Sequence, residues 1–258
     1  MTKVTDRLES QNLINLARQN YEKQQRTKVP GYVVPLPSAG LIYPESSPLR
    51  EGVVEMRYMT AYDEDILTNS TYISNGIMLN KLIESLLITP NVVADDLSNA
   101  DLEALVVYAR IHAYGKEISV SLTDPKTSKP IERTVDLSKL TSLPFDLQSD
   151  ENGEFEFITS TKDVLKFKYI NVKESKTIDP EHALSDFLKK SIQSVNGNTD
   201  RNHIDEFVKF NFLAADARAF RKYILDNMHG LDYNMEFEGE DGSTFKSRFQ
   251  LGSNFFWF

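Results

Sequence analysis

Four prolines and two glycines crowd the run Val-Pro-Gly-Tyr-Val-Val-Pro-Leu-Pro-Ser-Ala-Gly-Leu-Ile-Tyr-Pro at residues 29–44, and they constrain this chain more than any other feature. Proline lacks an amide hydrogen and clashes with the preceding turn, so no helix can cross the run. The chain there must be extended or turning. Residues 32–36, 41–43 and 53–58 read as short extended segments, and the last alternates well enough for a half-buried strand.

Helical signals flank this run. Residues 5–26 carry a ragged apolar stripe that includes Leu8, Leu13, Leu16 and Tyr21, behind a cap at Asp6. The polar linker 24–28 separates that helix from the proline-rich run, so it can dock on its own domain or on a partner. Thr60 and Asp63 form a capping box, and the triplet Asp63-Glu64-Asp65 lies where a helix dipole favours negative charge, which explains the acids without a metal. A wide stripe predicts a helix over 75–87, stopped by Pro90. Ser98 and Asp101 make a second capping box, launching a helix that ends near Gly115. Two further helices are predicted over 180–194 and 204–228.

Between the helical parts the period changes to two. Residues 117–122 and 131–135 alternate around a turn-rich segment and predict a β-hairpin; 154–158 and 164–169 are strand-like; 233–237 and 244–251 form a second hairpin around an acidic turn. The fold class is therefore α+β: helical segments with β-hairpins, a β-rich middle section and a C-terminal helix plus hairpin, without the βαβ rhythm of a parallel sheet. The expected divisions are 1–28 (helix and linker), 29–115 (extended segment, strands and helices), 116–177 (β-rich) and 178–258 (helices and hairpin).

Composition removes several classes of function. The 40% hydrophobic and 26% charged residues of this 258-residue chain are globular values that support a core. A net charge of −9 argues against phosphate-backbone binding, and the densest basic run, 18–28, is diluted by Glu22 and several glutamines into a solvated helix face. Nucleic acid is not an expected partner. With no cysteine there is neither a disulfide nor a thiolate zinc site, which fits a reducing compartment. No signal-peptide core opens the chain and no stretch approaches the roughly 20 apolar residues of a membrane span, so neither a membrane nor the usual export route is expected.

No reaction chemistry emerges either. His112, His182, His203 and His229 are too scattered for a metal-ligand spacing and read as surface or helix-end residues. Nucleophile elbows and glycine-rich phosphate loops are missing, and the carboxylate pairs Asp95-Asp96, Asp150-Glu151 and Glu240-Asp241 fall in caps or turns. No catalytic residue, cofactor or metal is assigned. The unusual feature is the terminal cluster Phe255, Phe256, Trp257 and Phe258, which must be covered, either by the protein's own second hairpin or by a pocket on a partner.

Three separated stretches carry a resemblance. Residues 35–43, then 52–67 from Gly52-Val53-Val54-Glu55-Met56-Arg57-Tyr58 onward, then the helix over 76–87, resemble the N-terminal block of the baseplate hub assembly proteins of T-even-type contractile-tailed bacteriophages, the myoviruses; tail assembly chaperones share part of it. Ala215-Asp216-Ala217-Arg218-Ala219-Phe220-Arg221-Lys222-Tyr223 and the later Phe255-Phe256-Trp257 resemble the family's C-terminal end, so that about half the chain is covered. Some relatives carry cysteine pairs near the hairpins, where zinc would clamp the turns; here those positions hold no cysteine.

The resemblance implies a non-enzymatic assembly factor, chaperone-like or structural, that binds phage baseplate hub or tail proteins in the host cytoplasm, stays in the virion if it is a permanent subunit, and can oligomerise within the assembly. The expected partner-binding residues are Phe255, Phe256, Trp257 and Phe258, with Tyr32, Leu36, Leu41 and Tyr43 of the proline-rich segment, whose prolines would prevent self-pairing and leave backbone groups for a partner strand.

Overall fold

A computed structural model describes residues 30–251 and 255–256. The helix expected over 5–26 lies outside them. Strand β1 (Gly31–Pro35) pairs antiparallel with β2 (Val53–Arg57), Gly31 opposite Arg57 and Pro35 opposite Val53. Between them the chain does not extend over 41–43 as expected. It coils through successive turns and a 3₁₀ turn, Pro48–Glu51. The reason is steric: Gly40 and Gly52 hold φ of 79° and 71°, and a Cβ on Gly40 would lie 2.3 Å from the Arg50 carbonyl oxygen. Backbone packs on backbone there, which glycine alone permits.

Helices α1 (Ala61–Thr68), α2 (Ser70–Ser74) and α3 (Met78–Leu86) follow, and α3 buries Leu82, Ile83 and Leu86 beneath the β1–β2 pair. Helix α4 (Asn99–Tyr114) is the spine. Its midsection Ala104-Leu105-Val106-Val107 is apolar all round and buried all round: Leu105 and Val106 face a main core, while Ala104 and Val107 face a second cluster. That second cluster lies beneath two hairpins, β3 (Glu117–Thr123) with β4 (Pro130–Asp136) and, near the C-terminus, β8 (Asn234–Glu238) with β9 (Thr244–Arg248).

The middle section departs from the sequence expectation. β5 (Phe155–Ile158) and β6 (Val164–Phe167) form as predicted, but a third strand, β7 (Ile192–Val195), joins β6. After the short α5 (Val172–Lys176), helix α6 (Ala183–Ser191) stops where the predicted 180–194 helix should continue, because Ile192 and Val195 gain full burial by pairing with Phe167 and Leu165. The predicted 204–228 helix is likewise divided into α7 (Arg201–Glu206), a π-helical turn (Phe207–Asn211) and α8 (Ala214–Asp226). No proline or glycine marks that break. Phe207 and Phe212 stack at 5.2 Å, and the Phe212 amide donates to the Phe207 carbonyl at 2.8 Å, so side-chain packing turns the chain. The main core draws residues from Val34 to Phe256, across the divisions expected near 115 and 177.

The crowded glycine makes a stability contrast measurable. Gly76 also has a positive φ, 66°, but open space around it. Gly76→Ala should cost about 1 kcal/mol, from conformation alone, and Gly40→Ala at least about 3 kcal/mol. Urea midpoints of the two variants at one pH check this.

Candidate interaction surface and its polar supports

The start of α4 is held by a buried polar clasp. Ser98 Oγ accepts the Asp101 amide at 3.0 Å, the first half of the expected capping box. The second half is rerouted. Asp101 does not return to the Ser98 amide; its carboxylate accepts the Ser38 amide at 3.0 Å and the Tyr43 hydroxyl at 2.5 Å, and the Tyr43 oxygen accepts the Ser98 amide at 3.0 Å. Burial, and then the Asp101 charge, push the Tyr43 phenol well above its ordinary range, so it serves as a permanent donor. The proline-rich loop is thereby fastened to the helix.

His229 completes the clasp, its Nε2 at 2.7 Å from Ser98 Oγ. Of the two expected settings, surface or helix end, the surface does not hold: His229 follows the end of α8 but is 2% exposed, edge-on to the Phe145 and Tyr169 rings. A serine and a histidine at this spacing resemble a nucleophile and its base. Ser98, however, is 3% exposed and committed to the Asp101 amide, so no substrate carbonyl can approach it. Among the described residues Nδ1 of His229 has no hydrogen-bond partner, and burial lowers the imidazole pKa.

A second buried pair supports the neighbouring wall. Asp63 is fully buried and receives both arms of the Arg57 guanidinium at 2.7 and 2.8 Å, together with Ser85 Oγ and the Thr60 amide at 2.8 Å. Burial pushes this carboxyl up, but hydrogen bonds from Arg57, Thr60 and Ser85 outweigh it and leave it below its ordinary value. Of the acidic triplet, then, Glu64 is the exposed first-turn acid expected and Asp65 is exposed one position beyond that turn, whereas Asp63 is an internal ion pair.

The residues nominated for partner contact separate. Leu36 and Tyr43 are core residues, Leu41 is half-buried, and Tyr32 packs partly against the core with its ring 3.9 Å from that of His112. The prolines do not prevent self-pairing: β1 bonds β2 along its whole length, because Pro35 sits at the strand end where its missing N–H falls on the outer edge. Phe256 is 4% exposed and meets Tyr114 edge-on, while Phe255 is wedged between the two clusters, its carbonyl accepting Arg110 Nε at 2.9 Å. Trp257 and Phe258 lie outside the described residues. Sequence reasoning missed the exposed Phe210 on the π-helical turn (72% exposed), Leu225 on α8 (65%) and Ile158 (60%), while Val33 on β1 (63%) is an exposed residue of the nominated 32–43 segment. No periodicity marks them, since each interrupts a pattern.

The turns of the two hairpins are joined by Asp124. Its carboxylate accepts the amides of Lys126 at 2.8 Å, Thr127 at 3.2 Å and, across the gap, Glu240 at 3.1 Å, while Lys126 pairs with Asp241 at 2.7 Å. These backbone hydrogen bonds hold Asp124 below the usual carboxylate range. Among the described residues no group of three or more histidine, aspartate and glutamate side chains is placed to hold a metal, and no helix is long and apolar enough to cross a membrane.

Two outcomes are expected. Phe256→Ala should destabilise the fold by about 3 kcal/mol in chemical denaturation, because it empties a core site. Burial holds the His229 imidazole below its ordinary value near 6.5, so the unfolded chain binds the proton more readily and stability should fall as pH drops through about 7 to 5. His112, whose pKa burial also lowers, adds in the same direction. His229→Gln should be less stable at pH 8 and lose most of that slope, as denaturation curves at pH 8, 6 and 5 would read.

Residues 34–257 match the family described as T4 bacteriophage base plate protein. No curated protein and no solved structure matches the chain. A match covering most of the sequence, including the clasped loop and α8, is decisive: this chain belongs to the T4 bacteriophage base plate protein family.

Proposed function

We propose that the protein is a non-enzymatic factor that binds hub or tail subunits while a contractile-tail baseplate is built in the cytoplasm of the infected bacterium. The observation that carries this reading is where the side chains of each kind lie. The groups with catalytic potential, Ser98 with His229 and Arg57 with Asp63, are sealed inside as packing clasps. Large apolar side chains, Phe210 and Leu225 foremost, are instead left at the surface of α8 and its π-helical turn. Exposed apolar groups favour association with other proteins.

Whether the protein leaves after assembly is a question of copy number. Quantitative mass spectrometry of infected-cell lysate and purified particles should find it abundant in the first and depleted from the second, relative to tail proteins. A fixed copy number in particles would make it a permanent baseplate subunit. Failure to follow tail proteins in either sample would remove the assembly reading altogether.

A further inference from the structure

β1 is Gly-Tyr-Val-Val-Pro, with no charged residue among its five. The register and the flanking bonds show which way its backbone points. Leu36 donates to the Gly52 carbonyl at 2.8 Å and Tyr58 to the Pro30 carbonyl at 3.1 Å, so the even-numbered residues of β1 face β2. In an antiparallel pair the alternate residues turn their amides and carbonyls the other way. β2 confirms the alternation on its far side, where Glu55 accepts from the Ile88 amide at 3.0 Å and donates to Thr89 Oγ1 at 2.6 Å. That edge is closed. On the β1 side, Gly31 and Val33 direct N–H and C=O outward and Pro35 its C=O, and none of them meets a partner among the described residues.

Unpaired backbone groups on a strand edge are satisfied by another strand. We infer that the occupant is a second copy of this chain, with β1 lying antiparallel to β1 about a two-fold axis at Val33. The outward groups suit that symmetry. Val33 of each copy exchanges both hydrogen bonds with Val33 of the other, and each Gly31 amide meets the Pro35 carbonyl opposite, so the absent proline N–H costs a bond only at the ends. Tyr32 comes opposite Val34 of the second copy, whose side chain is already buried in its own core, and no like charges of β1 face each other. On the outer face the two exposed Val33 side chains come side by side at the two-fold axis, flanked on each β2 by Glu55, and Val53 lies opposite Pro35. This is an isologous contact and does not depend on whether the protein remains in the particle.

Five residues of edge bury less than the roughly 1,200 Å² of a standard interface, so the free association is weak and is best read by a geometric trap. The chain has no cysteine, which makes the trap clean. Hydrogen-bonded partners across an antiparallel pair have Cα atoms about 5.5 Å apart, within disulfide reach. Purified full-length Val33→Cys, treated with copper phenanthroline, should form a covalent dimer at least ten times faster than Ile158→Cys, a site of equal exposure on β5. Val33→Lys should weaken dimerisation of the otherwise unaltered chain at least tenfold in sedimentation equilibrium. Equal rates of cross-linking, or a wild-type chain that stays monomeric to about 0.1 mM, would overturn the inference. A monomer that still follows tail proteins in lysate would assign the edge to another protein's strand and leave the assembly reading intact.

Discussion

One carboxylate, Asp101, ties together pieces of chain that are far apart in sequence. It sits fully buried at the head of the spine helix and takes one hydrogen bond from Ser38 and one from Tyr43, whose hydroxyl reaches Ser98, while Ser98 in turn holds His229. The proline-rich loop, α4 and the segment leading to β8 meet at this point. A buried acceptor stripped of its donors would forfeit about 1 to 3 kcal/mol for each group left unpaired. The loop conformation that delivers Ser38 and Tyr43 depends in turn on Gly40 fitting against the Arg50 carbonyl. Polar satisfaction and steric fit are thus one constraint.

From that point the architecture builds up in layers. The midsection of α4 can be apolar on all sides because two separate cores cover it, one beneath β1, β2 and α3 and the other beneath the paired hairpins. The hairpin turns are joined through Asp124, a link made of backbone amides and one carboxylate. Arg57, Asp63 and Asp101 are taken up by internal packing, while the large apolar side chains of Phe210, Leu225 and Val33 stay exposed.

Much of the local structure was legible. The Thr60 and Ser98 caps, the two hairpins and the stripe of α3 arise from interactions within a few residues, and sequence patterns report those well. What was missed depends on distant neighbours. Ile192 to Val195 became a strand because β6 was there to receive it, and the α7–α8 break arises from Phe207 stacking on Phe212 rather than from any breaker residue. The exposed apolar residues were the least legible. An apolar residue such as Phe256 or Val33 reads the same in sequence whether it fills the core or faces solvent.

By itself, then, the sequence determined the elements whose energetics are local: capped helices, alternating strands, and a proline-rich run that must turn, together with family membership through words such as Pro-Ser-Ala-Gly whose spacing is set by backbone sterics. The tertiary structure alone decided which polar side chains go inward and which apolar ones stay out. Desolvation, hydrogen-bond satisfaction and strand pairing are properties of groups brought together from distant positions, and no window of sequence contains both members of the pair.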